Sequence, residues 1–319
     1  MTDPTGLRFV PHVRSMGRRL RRYLAGCVAV DTRSLAVFRA SLGLLVLADL
    51  LFRSRNFFFY YTDSGVVTQS LAERGTADHA FSFHYFVSEP ELIAGLFVVQ
   101  ALFAMALVIG YRTRVATVVS FLFVVSLDHH NPYVLSYADT LFRLLFFWAI
   151  FLPLGERWSV DAIHSEGPRR RVVTSVATAL AMGQMVFMYF LNGLHKATSS
   201  TWRGGDAAPL VFGIDEMTFL LGDLFRNVPT LVGYGGLLWF YMLLGSLLLV
   251  LLRGRLRIGM VALFVLGHAS FAVTVRIGAF AYVAIAGLTL FLQPPFWRDA
   301  GQVVRRLGRD PDALSKHVV

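Results

Sequence analysis

The residues best suited to chemistry in this chain stand at the edges of apolar runs. Lys196 lies in "YFLNGLHKATSSTW", residues 189–202, and is one of two lysines among 30 basic residues, the other being Lys316. It follows Asn192 by four positions, so the two share a face wherever a helix continues through them. His195 is its neighbour, and Trp202 closes the stretch. Two readings are open for the lysine. A partly desolvated amine beside apolar or cationic groups can be neutral and act as a base, with His195 as a second catalytic candidate and Asn192 and Trp202 as substrate-binding candidates. A lysine at a helix end can equally snorkel its ammonium to an interface.

Further candidates lie elsewhere. His129, His130 and Asn131 precede Pro132, which disfavours helix at the residue before it and predicts a polar turn. Adjacent histidines there can ligate a metal, donate to an anion, or form a polar rim that satisfies helix ends. No third and fourth ligand stand at zinc-like spacing, so no metal is expected. Asp139 and Arg143 are four apart, which predicts a pair along one helix face, either functional or tying helices together. His268, midway along an apolar run, is a candidate cavity residue or an interhelical hydrogen-bonder. Arg276, in a tight turn, suits an anionic substrate or a lipid headgroup. Arg39, near the start of an apolar run, reads as an interfacial anchor. Cys27 is the only cysteine, which excludes disulfides, CxxC redox pairs and cysteine-ligated metals. Phosphate-binding glycine loops and the HExxH and GxSxG signatures are absent.

Composition says that the elements holding these groups cross a membrane. The 319 residues are 55% hydrophobic and 16% charged, with a mean hydropathy of +0.58, too apolar for a soluble domain. Eight apolar runs stand at 34–52, 92–110, 115–127, 139–154, 172–194, 228–252, 258–275 and 277–292. The first lacks a small-residue cleavage site and reads as a retained span. The run at 115–127 reaches only about 20 Å as a helix against a hydrocarbon core of about 30 Å. Either the bilayer thins there, or the "DHHNP" turn begins below the surface. Residues 53–91 mix aromatics with polar groups and read as a folded interfacial cap. With eight crossings, Lys and Arg total 21 on the side of the termini and 7 on the other, which assigns both termini to the cytoplasm. The net charge of +10 is then an orientation signal, and no nucleic-acid partner is expected. Lys196, His84, His129, His130 and Asp139 fall on the outer side.

The order "DTRSLAVFRASLGLLVLADLLFR", "YYTDSGV", "FHYF", "LVIGYRTRVATV", "SLDHHNPYVLSYADTLFRLLFFWAIFLPLGERWSVDA" and "YFLNGLHKATSSTW" resembles the horizontally transferred transmembrane (HTTM) domain family. That family includes the membrane part of vitamin K-dependent gamma-carboxylase. The resemblance runs from Asp31 to Pro295, and the "HHNP…D…LFR…FLPLGERWSVD" block is its most specific part. In the carboxylase, a lysine after an aromatic-Phe-x-x-Gly segment is the weak base that deprotonates vitamin K hydroquinone. Oxygen then converts the quinol into a stronger base that removes a glutamate γ proton, and carbon dioxide traps the carbanion. "YFLNGLHK" set against that segment implies Lys196 as the base, with His195 where the carboxylase has another lysine. The carboxylase's Asn-His-Ser-Tyr reads "HNPY" here, so Pro132 stands in place of its histidine and His129 or His130 is left to substitute. The carboxylase continues into an extensive lumenal domain beyond the point matching the end of this chain, so carboxylation of a protein substrate is not expected. Short relatives include the multipass subunit that matures the bacterial sporulation-delaying peptide toxin, which implies a rival, non-catalytic role in producing or exporting a secreted peptide.

The expected fold class is all-α, a polytopic integral membrane bundle of eight spans in a prokaryotic plasma membrane. A basic segment to residue 30 precedes a membrane domain at 31–295 and a cytoplasmic tail. An outward cavity bounded by Lys196, His195, the "DHHN" turn, Asp139, Arg143 and Arg276 is expected to take a reduced vitamin K or menaquinol, with O2 and CO2. The partners expected are the lipid bilayer, that quinol and a secreted peptide or protein.

Overall fold

The first apolar helix is started by its own sequence. The Asp31 carboxylate accepts from the Arg33 amide at 2.9 Å and so caps helix α2, Thr32–Ser54. Ahead of it lie α1, Phe9–Cys27, and the short strand β1, Val30–Asp31. The computed structural model describes residues 9–76 and 80–307. It is 76% helical with almost no sheet, which makes the chain an all-α protein. Lys316 and the end of the basic tail lie outside the described residues.

After α2 come α3, Phe57–Tyr61, and α4, Gln69–Gly75, then a single 3-10 turn at Phe83–Phe86; together they fold the expected cap. The bundle resumes with α5, Pro90–Ile109, α6, Thr113–His130, and α7, Tyr137–Ala149. A short α8, Val160–Ile163, and strand β2, Val172–Val173, lead to α9, Val176–Ala197. Three small helices follow: α10, Ser200–Gly204, α11, Ala207–Phe212, and α12, Gly222–Arg226. The last part holds α13, Pro229–Leu244, α14, Leu248–Leu251, α15, Arg255–Thr274, α16, Phe280–Leu288, and α17, Pro294–Leu307.

Two boundaries differ from the hydropathy reading. The run expected to start a helix at 172 begins instead as strand, with Val30 opposite Val173 and Asp31 opposite Val172 in an antiparallel pair. The helix waits for Ser175, whose hydroxyl accepts from the Thr178 amide at 3.1 Å while Thr178 Oγ1 accepts from the Ser175 amide at 2.9 Å. Conversely, α6 runs through "DHH" to His130, so its 18 residues rise about 27 Å rather than about 20 Å. Among the described residues five helices are long and apolar enough to cross a membrane: α2, α5, α9, the continuous Pro229–Leu251 and α15. The count is up to six if Phe280–Phe291 and α17, bent by 103°, form one broken span.

Packing separates core helices from lipid-facing ones. Only 28% of the apolar stretch of α5, 28% of Pro229–Leu251 and 22% of α15 is buried. Their outward faces carry side chains such as Leu102, Leu238 and Leu266, as a bundle in lipid requires. In contrast α16 buries Ala281, Val283, Ala284, Ala286 and Leu288 among α2, α7 and α15. Gly43 brings α2 close to α5, where a Cβ would stand 2.7 Å from the Ala104 carbonyl oxygen.

One end of the bundle is held by buried guanidiniums. Arg39, expected at the interface, is only 2% exposed and donates to the carbonyls of Leu154, Arg157, Val108 and Trp158. Those oxygens end helix α5 and shape the "PLGERW" turn, and the guanidinium supplies donors that the helix end and turn lack among themselves. Asp161 completes the knot by accepting from the amides of Arg112 at 2.8 Å and Thr113 at 2.7 Å, which caps α6. Burial works to raise the Asp161 carboxyl, but those donors and Arg39 hold it below the usual carboxylate range. Arg257, also buried, donates to the carbonyls of Leu252, Cys27 and Val250, joining α1, α14 and α15. Arg39→Met should cost about 3 kcal/mol or more, because several buried acceptors lose a charged donor. Thermal unfolding in detergent should show a large fall in midpoint, with Arg39→Lys recovering only part of it.

Candidate functional site

Helix α9 presents Tyr189, Asn192 and Lys196 at spacings of three and four, one face of a helix, and that face borders a cavity of about 310 Å³. Trp239 and Leu243 of α13 and His268 and Phe271 of α15 form the opposite walls. Trp202 of α10, Phe212 of α11 and Met217 close the rim, with Val275, Ile277 and Phe280 at the α15–α16 connection. Gly193 allows the close approach of α9 to α13 behind this face, since a Cβ there would lie 2.9 Å from the Leu244 amide nitrogen.

Lys196 is partly buried, and its Nζ stands 3.8 Å from the centroid of the Trp202 indole. This is cation–π geometry, in which the ring face attracts the ammonium. None of the ion pairs among the described residues includes the lysine. His268 is 0% exposed, and its Nε2 makes a 2.8 Å hydrogen bond with the buried Tyr189 hydroxyl. Aromatic rings surround it: Trp239 at 5.1 Å, Tyr189 at 5.7 Å and Phe280 at 5.8 Å between centroids. Its Nδ1 has no partner.

The cavity thus brings together Lys196, Asn192 and Trp202 with His268. The remaining sequence candidates lie elsewhere. His195 is exposed, does not border the cavity, and contributes only its carbonyl, which accepts from the Thr198 amide and hydroxyl at the helix end. Arg276 sits against the wall: its amide donates to the Met217 carbonyl at 2.8 Å and its Nε to the Thr218 carbonyl at 2.9 Å. It staples the 215–221 segment to the end of α15. Arg226 supports the same segment by donating to the Phe212 carbonyl and the Thr218 hydroxyl and pairing with Asp215.

His129, His130, Asn131, Asp139 and Arg143 belong to a second, structural cluster beneath the cap. Asp139 and Arg143 do not pair with each other. The Asp139 carboxylate caps α7 by accepting from the Ser136 amide at 2.6 Å and meets Arg53 at 3.0 Å, while Arg143 reaches Asp128 at 3.3 Å. Arg53 also holds Asp49 at 2.7 Å and donates to the Tyr61 hydroxyl at 2.8 Å, so one guanidinium joins α2, α3 and α7. Arg53 and Asp49 were not among the sequence candidates, although their spacing marks a helix-face pair, while Asp128 opens the "DHHN" turn that was expected to bound the cavity. The expected polar turn is the last turn of α6 and its cap. His129 Nδ1 lies 2.8 Å from the Phe81 carbonyl, His130 Nε2 lies 3.3 Å from the Tyr61 carbonyl, and Asn131 donates to the Tyr60 carbonyl at 2.8 Å. His84 is fully buried, bonds Ser126 Oγ at 2.9 Å through Nδ1 and stacks on His130 at 5.0 Å. Among the described residues no group of three or more His, Cys, Asp and Glu side chains could hold a metal ion.

A family model described as the HTTM domain matches residues 28–297, from just before β1 to the start of α17. The chain belongs to the HTTM domain family. It is a membrane protein of the group related to vitamin K-dependent gamma-carboxylase. No curated protein and no solved structure matches it. Much of the block that carried the resemblance is architectural in this HTTM protein: "PLGERWSVD" supplies three of the four Arg39 acceptors and Asp161, and "DHHNP" pins the cap.

The cap carries a pH dependence of known sign. Burial, and after it the neighbouring His130, push His84 down from 6.5 to about 3. The unfolded chain therefore binds a proton at this residue between those values that the folded chain refuses. The stability it supports is complete above pH 6.5 and is lost progressively as pH falls towards 3. His84→Asn should flatten this part of a stability-against-pH curve measured by thermal unfolding, while lowering stability at neutral pH.

Proposed function

We propose that this HTTM protein binds a membrane quinol in the α9–α13–α15 cavity and uses Lys196 as a weak base towards it. The observation that carries this reading is a partly buried amine, unpaired with any carboxylate among the described residues, at the mouth of an aromatic-lined cavity. Asn192 and Trp202 border the same space and would orient the ring, while His195 sits on the exposed side of α9 and would act only through the helix end. Trp202 covers the amine, so a ligand ring taking the indole's place would meet Nζ directly. Positioned general bases contribute about 10²–10⁴-fold to a rate, and a desolvated lysine is one route to such a base near neutral pH. O2 and CO2 would be the co-reactants implied by the family's chemistry.

The accompanying topology has eight crossings with both termini in the cytoplasm of a prokaryote, its support being the 21-to-7 asymmetry of Lys and Arg. In that arrangement α7 and Phe280–Phe291 cross as short segments that bury much of their surface against neighbouring helices. The cavity then opens on the extracytoplasmic side. A second reading, a non-catalytic factor for maturing or exporting a secreted peptide, draws on the exposed cap aromatics Phe58, Phe59, Phe81 and Phe86.

The deciding measurement is quinol epoxidation by protein in nanodiscs, with Lys196→Ala and Lys196→Arg beside the wild type. Both variants should lose at least about 10²-fold in turnover. Wild-type turnover that survives Lys196→Ala would remove the lysine from the mechanism, and absence of turnover in the wild type would favour the peptide role.

A further inference from the structure

We propose that α1 and α17 form one membrane-surface platform at the Arg39 end of the bundle, a pair of arginine-lined helices whose partner is anionic phospholipid. The proposal does not depend on the cavity or on its ligand.

The pattern is written in both helices. At 3.6 residues per turn, Met16, Leu20, Tyr23, Leu24 and Cys27 of α1 fall along one stripe, and Arg18, Arg19, Arg21 and Arg22 fall on the remaining face. Cys27, at the end of the stripe, is buried in the bundle. Met16, Leu20, Tyr23 and Leu24 are exposed, so the described residues leave the stripe uncovered. Helix α17 repeats the design in a different sequence. Phe296, Trp297, Ala300, Val303 and Val304 share a stripe, with both valines exposed, and Arg298, Arg305 and Arg306 stand on the other side. The seven arginines are all exposed and are accompanied on these helices by one described carboxylate, Asp299, which Arg255 of α15 holds at 3.5 Å. None of the seven takes part in an ion pair among the described residues.

The fold brings the two helices to one place. Tyr23 donates to the Leu251 carbonyl at 2.6 Å and Arg257 donates to the Cys27 carbonyl at 2.8 Å, which fixes the end of α1 to α14 and α15. The Gln293 side chain, one residue before α17, accepts from the Gly254 amide at 2.6 Å and donates to the Gly26 carbonyl at 3.4 Å. The start of α17 therefore adjoins the end of α1. Trp297 then donates to the Ser34 hydroxyl at 2.8 Å, near the start of α2. Helix α17 is bent by 103° from Phe280–Phe291, so it runs nearly across the direction of that segment. A helix turned in this way at the end of a spanning segment lies along the membrane surface.

Chemistry selects the partner. Orientation in a membrane needs only positive charge near the span ends, in any order. Here the order is helical, with apolar side chains on one face and arginines on the other. Such a helix sinks its stripe to the level of the acyl chains while its long basic side chains reach the headgroups. A guanidinium meets phosphate oxygens through parallel N–H donors. Phosphatidylcholine offers that phosphate beside a compensating cation, whereas phosphatidylglycerol offers it alone. A nucleic acid or an acidic protein would meet the arginines and leave the apolar stripes in water, so the two faces together select an anionic lipid surface.

The test uses the full chain in nanodiscs of mixed phosphatidylcholine and phosphatidylglycerol, where both faces carry the same lipids and orientation does not matter. A bimane label on Leu20→Cys, in a Cys27→Ser background, is quenched by a nitroxide on the acyl chain of one lipid or the other at equal mole fraction. Labelled phosphatidylglycerol should show a local enrichment of about fivefold or more, which one arginine near an anionic surface already supplies. Molar salt should remove most of it. The same label on Val304→Cys should report enrichment around α17. Arg18→Gln, Arg19→Gln, Arg21→Gln and Arg22→Gln together should equalise the two lipids at position 20 while quenching persists, and the corresponding four Lys changes should retain the preference. The salt arm reads the same attraction in the helix with its arginines intact, so the outcome does not hang on the folding of a variant. Equal quenching by the two lipids with the arginines intact would overturn the proposal. A preference that survives either molar salt or the Gln changes would do the same, since it would not come from the arginines. Absence of quenching by either lipid would take the stripe out of the bilayer, as a protein partner covering it would, and overturns the proposal too.

Discussion

A bundle this apolar depends on what happens to its few buried polar groups. Backbone carbonyls at helix ends and guanidiniums inside the fold cannot rely on water at membrane depth, so each must find a partner in the protein. Arg39 and Arg257 meet this at one end by donating to carbonyls alone, and Arg53 meets it at the other through Asp49, Asp139 and Tyr61. A planar guanidinium suits the task because it presents several donors in a fixed fan. Between these two knots the helices are held by close packing, as at Gly43 and along α16.

The knots also decide where a cavity can exist. Helices α2, α6 and α7 are drawn together under the cap by Arg53, Arg143 and Asp128, which leaves no space there for a ring. Among the described residues, helices α9, α13 and α15 carry no such ionic tie at that end. Their ends are spanned instead by the α10–α12 segment, fastened to α15 through Arg276 and through Phe219 and Leu221 amides that donate to the Thr274 and Val273 carbonyls at 2.9 Å. A fastened lid over untied helices encloses space.

Hydropathy made the helical class and the placement of the apolar runs legible, because long apolar segments leave few other structures open. It could not reveal that "VV" at 172–173 pairs with Val30 and Asp31, since a two-residue ribbon has no periodicity to read. The pairing of Asp139 with Arg143 was a sound expectation from spacing, but a carboxylate at the third position of a helix is also a cap, and the nearby Arg53 completed its coordination. Arg39 looked like an anchor because position near a helix end is visible in sequence and the acceptors contributed by a turn more than a hundred residues later are not. For the site, "YFLNGLHK" carried three of the four polar groups around the cavity, Tyr189, Asn192 and Lys196, because one helix face supplies them. His268 comes from a distant helix, and only the fold shows that it meets Tyr189.

The two histidine groups in the protein show how place in the fold, more than adjacency in sequence, decides what surrounds a histidine. His129 and His130 looked the more chemical in sequence, being adjacent and polar in context. In the fold each holds a carbonyl of the cap, and Asn131 beside them does the same, which ties residues 60, 61 and 81 to the end of α6, while His130 Nδ1 is itself buried without a partner. His268, a single polar residue in an apolar run, read as an interhelical hydrogen-bonder or a cavity residue. It lies in a cavity wall with Nε2 bonded to Tyr189 and Nδ1 buried without a partner, and the same cavity is bordered by Lys196, whose ammonium faces the Trp202 indole. A satisfied polar group stabilises a fold and is costly to redirect, whereas an unsatisfied one is maintained at a cost that a ligand can remove. The two clusters differ in the space beside them: the α9–α15 cavity measures about 310 Å³, whereas the cluster under the cap is closed around its own ion pairs and carbonyl contacts.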